Sequence, residues 1–142
     1  MTAASAPFVL PADQAARLRT GARLSLALVW LVEGAVLKLW LAEPTELAIV
    51  ADSGLWLVSP EWTLSAIGWL EVAAGLVLLA GWRERDAVAV TTLAMAAITL
   101  GVVWTDPATL LAPLTGVFKN GALAVCATVV WVLAERRQSA EP

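Results

Sequence analysis

Five polar side chains lie in stretches that are otherwise apolar: Glu33, Lys38, Glu71, Lys119 and Asn120. A carboxyl group held among apolar side chains can exchange a proton, pair with an ammonium group or grip the head of a ligand. Left alone there, it costs several kcal/mol, roughly, so it must face other helices or a wet cavity. Glu33 stands eight residues before Leu41, and Glu71 nine after Trp62. At 1.5 Å rise per residue, both lie about 12–14 Å below the same surface, on neighbouring helices. Lys38 follows Glu33 by five residues, which on an ideal α-helix turns the two about 140° apart. Lys38 is therefore expected to reach Glu71 or an acid in the adjacent loop. Lys119, beside Asn120, is expected to reach down toward either glutamate. Two readings stay open for this set: inter-helix ion pairs that fix register, or a site for a ligand, a proton or a partner.

Around the glutamates stand Trp30, Trp69, Gly34, Gly68 and Gly75, the candidates for lining such a pocket. Gly68 and Gly75 share a stripe with Glu71, where a second helix can come close. Trp30 and Trp69 lie too deep for an interfacial belt and either fill the core or flank a flat ligand. Trp40, Trp62, Trp82, Trp104 and Trp131 fall at or near helix ends, as an aromatic belt does.

Much chemistry is excluded by composition. The chain has no histidine and one cysteine, Cys126, so it holds no His-based triad, His-ligated haem, zinc site or iron–sulfur cluster of its own. Metal ligands are expected to be none. Nine basic residues against twelve acidic ones leave no surplus for nucleic acid. Of the 142 residues, 60% are hydrophobic and 15% charged, and the mean hydropathy is +0.79. A soluble domain carries ~25% charged residues, so the elements that position these side chains belong in a bilayer.

The fold class expected is all-α: a polytopic membrane four-helix antiparallel bundle with short helical segments on the outer surface. The spans are expected at about 22–42, 62–82, 87–105 and 116–134, within a bundle of residues 21–135. Residues 1–20 form a cytoplasmic amphipathic lead-in, without the basic start of a secretory signal, and residues 136–142 a cytoplasmic tail. Seven of the nine basic residues fall before the first span, between the second and third, or after the fourth. The remaining loops carry only acids. The positive-inside rule then places both termini in the cytoplasm and the protein in the cell membrane. Ser59-Pro60-Glu61 reads as a helix start, Pro44–Ala51 as a surface helix ended by Ser53-Gly54, Asp86 as the cap of span three, and Thr115-Gly116 as the start of span four. Residues 106–111 read as a second short outer helix.

Three segments resemble the DoxX-like family of small membrane proteins. They are Trp30-Leu-Val-Glu-Gly-Ala-Val-Leu-Lys-Leu, Ile67-Gly-Trp-Leu-Glu-Val-Ala-Ala-Gly, and Pro113-Leu-Thr-Gly-Val-Phe-Lys-Asn. By that resemblance Gly34, Lys38, Gly68, Glu71, Gly75, Lys119 and Asn120 fall at motif positions. The resemblance implies an accessory subunit of a membrane complex, redox-linked or quinone-linked, that is not catalytic on its own. It implies a bound quinone or lipid as cofactor, and the bilayer, other membrane subunits or a second copy as partners. The alternative is a stand-alone membrane enzyme or a small carrier that binds a quinone, a lipid or a proton at Glu33 and Glu71.

Overall fold

The structure is a computed structural model and describes residues 10–105 and 116–138, with side chains over 10–104 and 119–134. Among the described residues it is all-helical, without strands. Helix α1 spans Ala12–Leu31 and continues without interruption as π-helical turns over Val32–Trp40. Helix α2 spans Pro44–Ser53, α3 Pro60–Ala80, α4 Glu84–Thr105 and α5 Gly116–Gln138. From Ala12 onward the lead-in runs into span one as one helix. Residues 1–9, 106–115 and 139–142 lie outside the described residues, and with them the expected second outer helix, Thr115 and the end of the tail.

Local chemistry explains the boundaries. Ser59 stands ahead of α3 with its hydroxyl accepting from Trp62 N at 3.2 Å, and Pro60 occupies the first helical position. Glu43 plays the same part for α2, accepting from Thr45 N at 2.9 Å and Glu46 N at 3.1 Å. Gly54 and Gly81 end α2 and α3 in the left-handed conformation, with φ of 65° and 69°, where other residues are strained. Asp86 does not cap α4. The helix starts two residues earlier, at Glu84, and Asp86 pairs with Arg83 at 2.6 Å instead.

Helix α1 packs against α3 and α5, and α4 against α3 and α5. Leu26, Ala27, Trp30, Leu78, Val88, Leu123, Ala127 and Val130 form the buried core. The outward faces are apolar as well: Leu70 and Leu76 on α3 and Val90, Leu93 and Leu100 on α4 are exposed. A soluble protein rarely exposes apolar patches of that extent, whereas a bilayer requires them. Helices Pro60–Ala80 and Glu84–Trp104 are each long and apolar enough to cross a membrane. The third candidate is bent: Ala12–Trp40 and Pro44–Ser53 meet at 86°. Helix α5, Gly116–Gln138, contains the expected fourth span, and its described apolar stretch is Lys119–Ala134. Among the described residues there are therefore five helices with two or three candidate spans.

Candidate functional site

The π-helical turns govern the site. Their bonds reach farther back than in an α-helix, as in Leu41 N to Val36 O at 2.8 Å, and just past their end Glu43 N bonds Leu37 O at 2.9 Å. That winding brings residues five apart onto one face. Lys38 Nζ consequently lies 3.7 Å from Glu33 Oε2, against the ideal-helix expectation of divergent side chains. The physical reason is the change of helical period, which no spacing rule for an α-helix contains.

Three carboxylates converge on Lys38, whose side chain is 7% exposed. Glu71 Oε2 is at 3.1 Å, Glu46 Oε2 at 3.4 Å, and Glu33 Oε2 is the 3.7 Å partner. Lys119 Nζ donates to Glu33 Oε1 from the other side. Asn120 Nδ2 donates to Thr99 Oγ1 at 2.6 Å, tying α5 to α4. Glu71 Oε2 is buried, and the Lys38 ammonium is its charged partner.

These groups border a cavity of about 380 Å³. Trp30, Ile67, Met95, Ile98, Val102 and Leu123 contribute apolar wall. Glu43, ahead of α2, and Thr45, Glu46, Ile49 and Val50 of α2 line it too. The arrangement suits an amphiphilic molecule: an apolar body among the helices and a polar head among the charges.

The expected site residues separate into three groups. Glu33, Lys38, Glu71, Lys119, Asn120 and Trp30 border this cavity. Trp69 does not: it is 65% exposed, on the outward face of α3. Gly34, Gly68 and Gly75 do not border it either, because they are consumed by helix contact. A Cβ on Gly34 would stand 2.5 Å from Gly68 O, one on Gly68 3.0 Å from Lys38 Cβ, and one on Gly75 2.7 Å from Leu31 Cγ. Gly34 and Gly68 let the π-helical turns lie against α3 closely enough for Lys38 to meet Glu71, and Gly75 does the same for the end of α1. Glu46 is the adjacent-loop acid expected to meet Lys38, which the sequence leaves unnamed. Nothing in the sequence singles out Thr99 as the partner of Asn120.

A family model for the DoxX-like family matches residues 27–128, which include both glutamates, both lysines and Asn120. No curated protein and no solved structure matches the chain. The match covers most of the chain and the helices are apolar on their outward faces, so this is a multi-pass membrane protein, and it belongs to the DoxX-like family.

Proposed function

We propose that this DoxX-like protein is an accessory subunit of a larger membrane assembly and holds one amphiphilic molecule, of the quinone or lipid class, in its cavity. The observation that carries this reading is the cavity itself, apolar along the helices and charged at one end. Its volume sits at the lower end of the ~300–1,000 Å³ range of small-molecule sites. Lys119 and Asn120 offer donors to a head-group oxygen. With no histidine and one cysteine in the chain, any electron transfer would use a bound quinone or a partner's cofactor.

The topology proposed with it is a four-helix antiparallel bundle with cytoplasmic termini, so that α2 and the charged end of the cavity face the outer side. The segregation of basic residues supports this. In a Cys126→Ala background, Asp52→Cys should label from outside and Arg83→Cys from inside; the reverse pattern overturns the orientation.

A second reading, a stand-alone enzyme or carrier acting through Glu33 and Glu71, is supported by the two carboxyl groups bordering one cavity. Purification from native membranes in mild detergent, with identification of bound proteins and lipids, separates the two. A stable complex that retains a quinone or lipid supports the accessory reading. A solitary protein with a bound small molecule supports the second, and a solitary, empty protein overturns both.

A further inference from the structure

We infer that the cavity opens sideways into the bilayer, between the parts of α3 and α4 that lie far from their connecting turn. Its ligand is then an amphiphile whose tail is too long for the cavity, leaves through this cleft and stays in the lipid. The inference rests on the cavity being a ligand site and adds the ligand's route and the length of its tail.

Helices α3 and α4 are joined by the short turn at residues 81–83. Beside that turn they are held together: Leu78 and Val88 belong to one buried cluster, and Ala74 packs against it. Farther along they part. Positions seven apart on an α-helix lie within about 20° of one another. On α4, Thr91 is 7% exposed, while Ile98, seven residues on, is 48% exposed. One face of α4 is thus covered near the turn and uncovered two turns away. On α3, Ile67 stands seven residues before Ala74 and borders the cavity, whereas Ala74 meets the core cluster. Accordingly α3 packs chiefly on α1 and its π-helical continuation, and α4 chiefly on α5, rather than on each other.

Ile98 both lines the cavity and is half exposed, so the cavity wall is continuous with the outer surface of the helices. That surface is lipid-facing: Leu70 of α3 and Leu93 of α4 are both exposed. The walls of the cleft, Ile67 on one side and Ile98 and Val102 on the other, are apolar. Such walls suit a hydrocarbon chain and offer water no hydrogen bond. Most of the polar groups sit across the cavity, Glu33 and Lys38 on the first helix and Lys119 and Asn120 on α5. A head held there leaves its tail pointing between α3 and α4. At about 380 Å³ the cavity lies near the lower end of sites that take a whole drug-sized molecule. A membrane lipid or a long-tailed quinone exceeds it, so the rest of its tail must lie outside.

The test uses the full chain in lipid nanodiscs, with empty nanodiscs as the partition control and probe concentration counted per lipid. Two probe pairs are titrated, a benzoquinone and a phosphatidylethanolamine, each with a short and a long tail. A long-tailed probe should saturate at one per chain, and which pair does so tells a quinone from a lipid. Ile98→Trp, which fills the cleft from its lipid side, should weaken that probe by about tenfold or more and spare its short-tailed partner. A nitroxide on Ile98→Cys, in a Cys126→Ala background, gives a second reading that does not depend on the tryptophan variant folding. The bound long-tailed probe should shield this nitroxide from dissolved oxygen and leave one on Leu93→Cys unshielded. Binding of short-tailed probes alone, equal weakening of both lengths or of neither, or an unshielded nitroxide at position 98 overturns the lateral cleft while the cavity remains a ligand site. Saturation by none of the four probes overturns the ligand site with it.

Discussion

Two charged regions lie at opposite ends of the first long helix, and their stoichiometries are inverted. Near its start, the Arg19 and Arg23 guanidiniums share the single carboxylate of Glu84. In its π-helical continuation, the single ammonium of Lys38 faces three carboxylates. Arginine has a long, flexible stem and can carry its charge along an apolar surface to a partner or to water. Glutamate in the middle of an apolar helix has a short stem and takes whatever the neighbouring helices bring. The arginine end is therefore paired by reach, and the lysine end only by close helix packing. A Cβ at Gly81 would stand 1.8 Å from Arg23, so the first region is closely packed as well, but against a flexible side-chain tip. At Gly34 the obstacle is backbone, which cannot step aside.

The largest effect should come from removing the hub of the lysine end. Lys38→Met leaves three carboxylates without their common cation and should destabilise the protein by about 3–5 kcal/mol, seen as a large fall in melting temperature in detergent. A melting temperature equal to the parent's would mean that Lys38 does not organise this region. Next in size is Gly34→Ala, which forces the π-helical turns off α3 and should cost roughly 1–3 kcal/mol. Its signature beyond stability is loss of the Lys38–Glu71 contact, so adding Glu71→Gln to Gly34→Ala should change little further. Glu84→Gln probes the other end. Its partners are reached by flexible guanidiniums with side chains about one-sixth exposed, so a smaller loss of about 1–2 kcal/mol is expected. A loss equal to that of Lys38→Met would erase the distinction between the ends. The smallest effect belongs to Trp69→Leu. It replaces one lipid-facing apolar side chain with another and should shift stability by no more than about 0.5 kcal/mol, with ligand retention unchanged.

The two tryptophans define how far the sequence can be read. Trp30 and Trp69 look alike there: each stands three residues from a glutamate or two before one, deep in an apolar run. Trp30 is 9% exposed and borders the cavity, while Trp69 faces outward. In a soluble helix the polar face would have told them apart. In a membrane helix both the core and the lipid are apolar, so apolar periodicity carries no sense of inside and outside. Helix starts and stops are legible for the opposite reason, because caps are local: Ser59-Pro60 and Ser53-Gly54 act within a few residues of themselves.

The sequence by itself determined that the chain is helical and apolar, that Glu33, Lys38, Glu71, Lys119 and Asn120 stand where each is costly, and that small residues accompany them. Those are properties of composition and local spacing. Only the tertiary structure decided that Lys38 meets Glu33 on its own helix, since that depends on a switch from α to π winding. It alone decided that Gly34, Gly68 and Gly75 serve helix contact rather than a pocket wall. It also brought Glu46 onto Lys38, through an 86° bend that folds α2 across the end of the bundle. Each of these depends on how one backbone lies against another, and no residue's type or spacing along a single helix encodes that distance.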